Sequence, residues 1–221
     1  MTPKRTAFVV GATGFVGQLL VKQLCDDVAY EKVITFTRRK TDLLHPKLDQ
    51  QVASFEELTA TNLVGVDDVF CCLGTTISKA GSKEAFKQVD YTFPVKVAAL
   101  AKEQNVAHFI IISAMWANPK SCFFYTKTKG ELEETLKAMQ LHRLSMVRPS
   151  LLTGARVELR LGEKVSEGVF TLLKPVLLGP LQKTHPIAGE TVARAMKRIA
   201  LAPSNEAVQV YESDELMKIG K

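Results

Sequence analysis

The segment Gly11-Ala12-Thr13-Gly14-Phe15-Val16-Gly17 separates two different hydrophobic patterns. The apolar run over residues 7–10 is typical of a short buried strand, and apolar residues recur at helical spacing over residues 16–24. The three glycines permit a sharp turn, close approach of an anion to the backbone, and close packing of the helix on the strand. Backbone amides at the helix start attract a pyrophosphate. The segment therefore predicts a dinucleotide-binding turn; a tight turn that binds nothing is the alternative.

Length and charge narrow the class of protein. The chain has 221 residues, of which 46% are hydrophobic, and a formal net charge of +6. This length allows one substantial core. The positive charge is spread along the chain, which is too diffuse to favour a nucleic-acid partner. No segment is long enough to span a membrane, so we expect no membrane partner either.

The cysteines and histidines do not form a metal-binding pattern. Cys25, Cys71, Cys72 and Cys122 lack the spacing of paired ligands, and the four histidines fit no zinc spacing. We therefore expect no metal site. Cysteines without a disulfide framework are typical of a reducing compartment, and we expect a cytoplasmic protein.

A second strand is predicted over residues 32–37, which are rich in β-branched side chains. After this strand, a carboxylate bonds the ribose 2′-hydroxyl of NAD, whereas arginine accommodates the 2′-phosphate of NADP. This chain has Arg38 and Arg39 there. We therefore expect NADP(H) to be preferred, with NAD(H) as the second option. Two solvated loop arginines are the alternative.

Strand and helix patterns alternate along the rest of the chain. This alternation predicts an α/β fold in which a doubly wound parallel sheet of the Rossmann type is flanked by helices. A helical region covers residues 82–104, and Pro94 is expected to bend or restart it near Asp90 and Tyr91. The other predicted strands are residues 51–53, 67–73, 107–113, 144–149 and 208–211.

Polar residues follow two of these strands, at the edge where open α/β sheets bind ligands. Gly74 would let the backbone approach a ligand, and the hydroxyls of Thr75 and Thr76 can bond a sugar or phosphate. An ordinary turn explains these three residues equally well. Ser113 closes the fifth strand. It is a candidate site residue, or a hydroxyl that bonds the local backbone.

Tyr125 and Lys129 lie four residues apart in a segment that continues as a helix, so both project from one helical face. A free tyrosine has a pKa of roughly 10. A nearby lysine cation, together with the positive charge of a nicotinamide, would lower that pKa. We expect Tyr125 to exchange a proton, with Lys129 lowering its pKa. A half-buried helix tyrosine beside a solvated lysine is the alternative.

These motifs resemble the short-chain dehydrogenase/reductase superfamily, in its extended or atypical branch. The chain is most similar to the Tat-interacting-protein group of atypical members, from the first strand past Pro149. Ala114 departs from the pattern, since many relatives carry a second small hydroxyl residue there. Asp90 stands where extended members often have asparagine. The matching segments are residues 37–40, 71–76, 79–81, 89–90, 125–131 and 148–149.

The resemblance implies a Rossmann domain that binds NADP(H), with Tyr125 as proton donor or acceptor. Lys129 would bond the nicotinamide ribose, and Ser113 would orient a substrate carbonyl. The candidate catalytic residues are thus Ser113, Tyr125 and Lys129. The candidate cofactor-binding residues are Gly11, Thr13, Gly14, Phe15, Val16, Gly17, Arg38, Arg39, Leu73, Gly74, Thr75, Thr76, Tyr125, Lys129 and Pro149.

We expect one NAD(P)-binding Rossmann-like domain over residues 1–221. Residues 150–185 are expected to add a small C-terminal lobe on the substrate side. Trp116, Arg156 and Arg160 are candidate substrate contacts.

Three functions are compatible with this pattern. The first is an NADP(H)-dependent oxidoreductase that acts on a small carbonyl or alcohol substrate. The second is an NADP(H)-sensing regulatory protein that binds a protein partner. The third is an enzyme similar to nucleotide-sugar epimerases or dehydratases, for which 221 residues leave little room for a larger substrate lobe. A homodimer is compatible with each of them.

Overall fold

A computed structural model of the protein describes residues 4–154 and 185–221. In the described residues, no helix is both long and apolar enough to cross a membrane. The strands are β1 (Arg5–Val10), β2 (Tyr30–Thr37), β3 (Leu48–Val52), β4 (Asp68–Cys71), β5 (His108–Ile112), β6 (Leu144–Arg148), β7 (Leu152–Thr153), β8 (Ile187–Ala188) and β9 (Val208–Glu212). The α-helices are α1 (Phe15–Cys25), α2 (Ile77–Ala80), α3 (Lys83–Lys87), α4 (Phe93–Glu103), α5 (Phe124–Ala138), α6 (Gly189–Leu201) and α7 (Ser213–Ile219).

Seven strands form the main sheet, in the order β3-β2-β1-β4-β5-β6-β9. Every neighbouring pair in it is parallel. The strand order reverses between β1 and β4, because the chain first builds outward to β3 and then crosses back to β4. Such a reversal leaves a crevice at the carboxyl ends of the strands, where open α/β sheets bind ligands. The predicted Rossmann-type fold is confirmed.

Helices cover both faces of this sheet. Successive side chains of a strand point to opposite faces. Val9 and Ile110 therefore pack in the core that includes α1 and α6, whereas Val10 and Ile111 pack in the core that includes α4 and α5. Burial on both faces explains why the central strands are continuous apolar runs in the sequence.

The helical region before β5 has an irregular centre. A π-helical turn, Gln88–Thr92, lies between α3 and α4, and Pro94 occupies the first turn of α4. Proline lacks the backbone N–H that an uninterrupted helix would need at that position. The regular α-helix is therefore interrupted at Asp90 and Tyr91, where Pro94 was predicted to bend or restart it.

A second, two-stranded sheet joins β7 to β8 in parallel, with Leu152 opposite Ile187. The ring of Phe15 from α1 lies against Gly154 and Gly189. A Cβ on either glycine would lie 2.5 Å from that ring, so a side chain at either position would require the Phe15 ring to move. The predicted lobe over residues 150–185 lies largely outside the described residues, and Arg156 and Arg160 lie wholly outside them.

A buried ion pair joins the amino ends of three strands. Arg5 donates to both carboxylate oxygens of Asp68, at 2.6 Å each, and the Tyr30 hydroxyl donates to Asp68 at 2.8 Å. Burial raises the pKa of Asp68, and the hydrogen bond and charge of Arg5 partly oppose that rise. This cluster ties β1, β2 and β4 together at the edge opposite the crevice.

Replacing Tyr30 with Phe is expected to lower the free energy of unfolding by about 1.5–3 kcal/mol, because a buried hydrogen bond to a charged group is lost. Urea denaturation monitored by circular dichroism measures this change. Tyr211→Phe is the matched control, since the Tyr211 hydroxyl donates only to the part-buried Gln209. Equal losses for the two variants would contradict the prediction.

Candidate cofactor and active site

The glycine turn lies directly against the end of β4. Gly11 has a φ of 79°, in the left-handed region, and a Cβ there would lie 2.5 Å from the carbonyl of Cys72. A Cβ on Gly17 would overlap the carbonyl of Gly11. The close packing of β1, α1 and the loop after β4 therefore requires Gly11 and Gly17.

The packing around Gly14 and Gly74 is less restrictive. A Cβ on Gly14 would meet the Gly11 carbonyl oxygen at 3.1 Å, which is tight without overlapping, and one on Gly74 would lie 3.6 Å from Asp90. Neither glycine has a positive φ. Gly14 is also the N-cap of α1, and no side chain caps this helix start. Bare backbone and uncapped amides therefore meet at the crevice, which fits a pyrophosphate.

Arg38 and Arg39 directly follow β2, one strand away from the glycine turn. Both side chains are exposed. The Arg39 carbonyl accepts a hydrogen bond from the Thr37 hydroxyl at 2.7 Å, which fixes the turn at the end of the strand. Both residues therefore follow the carboxyl end of a strand that neighbours β1, and their side chains are accessible to an anion.

Tyr125 and Lys129 lie on the first two turns of α5. The Lys129 ammonium is 2.8 Å from Oδ1 of Asp90, and both residues are buried. The Tyr125 side chain is 39% exposed, and its ring packs against Phe86 with 5.7 Å between the ring centroids. The structure thus brings the predicted tyrosine and lysine together and adds a carboxylate to them.

The electrostatics of this cluster differ from the expectation. Burial raises the pKa of Tyr125, the Lys129 charge opposes that rise, and Asp90 adds to it. Burial is the largest influence on the pKa of Lys129 and acts to lower it, but the charge and hydrogen bond of Asp90, together with Tyr125 and Cys71, raise the pKa overall. Lys129 acts to lower the Tyr125 pKa, as predicted, but in the chain alone burial raises that pKa by more and Asp90 adds to the rise. Tyr125 keeps its proton at neutral pH.

Asp90 also reaches the loop after β4. Its Oδ2 accepts a hydrogen bond from the Thr75 backbone amide at 2.8 Å. This loop continues into α2, where the Thr76 hydroxyl accepts from the Lys79 amide at 3.2 Å. The backbone amide of Thr75 and the hydroxyl of Thr76 are thus already bonded within the protein.

Ser113 lies at the end of β5, as expected, but its hydroxyl donates to Glu133 of α5 at 2.5 Å. Arg148 binds both carboxylate oxygens of Glu133 and also pairs with Glu212 at 2.9 Å. Glu133 is only 2% exposed. The Ser113 hydroxyl therefore donates its only proton to the Glu133 carboxylate. The predicted donation from Ser113 to a substrate carbonyl does not agree with this geometry.

The remaining candidate residues offer mainly backbone to a cofactor. Val16 is buried in the core, and Phe15 packs against Gly154 and Gly189. Leu73 packs beside the core on the α4 and α5 face, and Pro149 is buried after β6. Thr13 is exposed in the glycine turn, and its carbonyl accepts from Gln18 at 3.1 Å.

Trp116 lies in the loop between Ser113 and α5. Its φ of 61° is unusual for a residue other than glycine, and its side chain is exposed. Exposed Phe123 lies on the same loop. Phe123 is the N-cap of α5, so one exposed apolar ring lies at the start of this helix, two residues before Tyr125.

The sequence did not reveal the partners of Ser113 and Lys129. One signal was present for Glu133, which lies four residues after Lys129 on the helical stripe that already holds Tyr125. A carboxylate on a buried stripe predicts a buried cation as its partner. No comparable signal in the sequence identifies Glu212.

The fold and the crevice define a dinucleotide-binding protein of the Rossmann class, and comparison with known proteins identifies the family. Residues 11–167 match a family model described as NAD(P)H-binding. The chain belongs to this NAD(P)H-binding family.

Relatives extend over nearly the whole chain. It is 32% identical to the mitochondrial protein FMP52 of Debaryomyces hansenii over 96% of this chain and 98% of that protein. It is also 32% identical to HTATIP2 of Rattus norvegicus, over 98% of this chain and 90% of that protein. The resemblance to the Tat-interacting-protein group is confirmed. The chain is an NAD(P)-binding protein related to HTATIP2 and FMP52.

A solved structure supports the fold independently. A UDP-N-acetylglucosamine 4-epimerase from Methanobrevibacter ruminantium superposes with a TM-score of 0.73 at 16% identity. The match covers 96% of this chain and 77% of the epimerase. At this identity the likeness is one of fold.

The predicted cytoplasmic location is contradicted by these relatives, because the FMP52 proteins are named mitochondrial. The prediction rested on the cysteines, which form no disulfide among the described residues. Free thiols indicate a reducing environment and do not identify the compartment that provides it.

Proposed function

We propose that this protein is an NADP(H)-dependent oxidoreductase that acts on a small carbonyl or alcohol substrate. The observation that carries the proposal is the crevice between β1 and β4. There the bare backbone of Gly14 and Gly74 meets an uncapped helix start, and exposed Arg38 and Arg39 lie one strand away. This arrangement supports a pyrophosphate near the glycine turn and a 2′-phosphate near the arginines.

The chemistry would take place at the start of α5. When bound, the cofactor supplies or accepts a hydride. Tyr125 carries a proton at neutral pH, as a free tyrosine does, and the positive charges of Lys129 and of an oxidised nicotinamide would favour its release. It is therefore set to donate a proton to the oxygen of a substrate carbonyl. Lys129 is a buried cation and would bond the ribose next to the nicotinamide.

The first test is a fluorescence titration of the purified protein with NADPH and then NADH. We expect the emission of NADPH to increase and shift to the blue on binding, with weaker binding of NADH. Absence of binding by both cofactors would refute the proposal. Binding of NADPH would justify a screen of carbonyl substrates.

The double substitution Arg38→Ala/Arg39→Ala is expected to weaken NADPH binding at least about tenfold and to change NADH binding little. Ten-fold corresponds to ~1.4 kcal/mol, about the contribution of one charge-assisted hydrogen bond to a phosphate. Lys32→Ala is the control, because Lys32 pairs with Asp49 on the exposed surface and lies early in β2. Equal loss of affinity for both cofactors would show that the arginines do not recognise the 2′-phosphate.

A regulatory NADP(H) sensor is the second candidate. One observation favours it: Glu133 holds the Ser113 hydroxyl, so one of three predicted catalytic groups has no proton to give. The sensor hypothesis predicts a protein partner whose binding depends on NADPH and is unchanged by Tyr125→Phe. The oxidoreductase hypothesis predicts turnover that this substitution removes.

A further inference from the structure

One buried carboxylate connects two elements of the proposed site. Asp90 lies in the π-helical turn, where its Oδ1 is 2.8 Å from the Lys129 ammonium of α5. Its Oδ2 accepts the amide of Thr75, in the loop after β4, at 2.8 Å. The turn thus joins the loop that follows Gly74 to the helix that carries Tyr125.

Burial makes the ion pair obligatory. The side chains of Lys129 and Asp90 are only 3% and 1% exposed. A buried charge is stable only when it is paired and hydrogen-bonded, and a lone buried lysine loses its proton instead. Asparagine at position 90 could still accept the Thr75 amide, but it would not compensate the ammonium. The negative charge of Asp90 is therefore needed by Lys129 in particular.

We propose that Asp90 is a positioning residue of this site, which keeps the buried Lys129 a cation and ties it to the Thr75 loop. The titratable groups that face Lys129 are Asp90 from the π-helical turn, Tyr125 from its own helix and Cys71 from β4. Among these groups of the described residues, Asp90 alone lies within ion-pair distance of the Lys129 ammonium. The role of Asp90 in catalysis rests on the proposed function, because in that function the Lys129 cation bonds the cofactor ribose.

The test is a pH titration of Lys129 by NMR in protein labelled with ¹³C-lysine, with the signal assigned from Lys129→Arg. In the original protein we expect the midpoint to lie above the ordinary lysine value. In Asp90→Asn we expect it to fall by about one to three pH units, because burial is no longer opposed. Asp49→Asn removes an exposed carboxylate from Lys32 and is expected to leave Lys129 unchanged. An unchanged Lys129 midpoint in Asp90→Asn would overturn the proposal.

A second readout is the affinity for NADPH as a function of pH. In Asp90→Asn, binding is expected to weaken as the pH rises from neutral to mildly alkaline, as Lys129 loses its proton, whereas the original protein keeps its affinity. Parallel pH profiles would overturn the proposal. If the original protein fails to bind NADPH, the proposed function fails, but the lysine titration still decides the role of Asp90.

Asp90→Asn could also prevent folding, because it leaves a buried cation unpaired. In that case the lysine titration is replaced by a comparison of thermal unfolding between the double variant Asp90→Asn/Lys129→Met and the single variant Lys129→Met. We expect the double variant to have a higher thermal midpoint than Lys129→Met alone, because the double variant leaves no buried charge uncompensated. A midpoint no higher than that of Lys129→Met would show that the two residues are not coupled, and would refute the proposal.

Discussion

Replacement of Tyr125 with Phe is expected to lower turnover about 10²–10⁴-fold while leaving the affinity for NADPH nearly unchanged, because only the proton donor is lost. The phenyl ring keeps the packing contact with Phe86. The Tyr125 hydroxyl carries a proton at neutral pH and can give it to a substrate oxygen, with the positive charges of Lys129 and of the oxidised nicotinamide favouring its release. The measurement is the decrease of NADPH absorbance with a carbonyl substrate found by screening.

Tyr211→Phe is the matched control for this loss. Tyr211 lies on β9, and its hydroxyl donates to Gln209 rather than to a residue of the candidate site. We expect this variant to turn over at the original rate. Equal rates for Tyr125→Phe and Tyr211→Phe would show that Tyr125 is not the proton donor. Loss of NADPH binding in Tyr125→Phe would indicate a binding role instead.

Replacement of Glu133 with Ala is expected to lower the free energy of unfolding by about 3–5 kcal/mol, the usual cost of removing one partner from a buried ion pair. The Arg148 guanidinium would keep Glu212 but lose its contacts with both Glu133 oxygens. The Ser113 hydroxyl would lose its acceptor as well. Urea denaturation at neutral pH measures the change.

The neighbouring residue supplies the control for this prediction. Glu134 is exposed and pairs with Lys137 one turn along the helix, so Glu134→Ala is expected to change stability by less than about 0.5 kcal/mol. Glu133→Gln keeps an acceptor for the Ser113 hydroxyl. Its loss of unfolding free energy is expected to lie between those of Glu133→Ala and Glu134→Ala. Similar stabilities of Glu133→Ala and Glu134→Ala would mean that the buried pair contributes nothing.

The central sheet could be predicted from the sequence because its strands are buried on both faces. The continuous apolar residues of β5 show this directly. The edge strand β3 was predicted only over residues 51–53, whereas it begins at Leu48. Its side chains are mostly half-buried and polar, so the sequence has little hydrophobic contrast there. Strands β7 and β8 have two residues each, too few for any periodicity.

The candidate site was predictable where one turn or one helix sets the spacing. The glycine turn and the pair Tyr125 and Lys129 are of this kind. The bond from Ser113 to Glu133 crosses 20 residues, and the pair of Lys129 with Asp90 joins two separate helical elements. Such contacts depend on how the helices pack on the sheet. For this reason the sequence suggested the candidate catalytic residues but not the carboxylates, Asp90 and Glu133, that contact them.

The short β7–β8 ladder affects how readily the segment between these two strands can change in length during evolution. By pairing Leu152 with Ile187, it holds side by side two strands that are far apart in the sequence. The entropy cost of bringing two such points together grows slowly with the length of chain between them, by about 0.6 kcal/mol for each doubling. The Phe15 ring, which lies against Gly154 and Gly189, helps to fix both points. Insertions and deletions between the two strands can therefore accumulate during evolution without rebuilding the sheet.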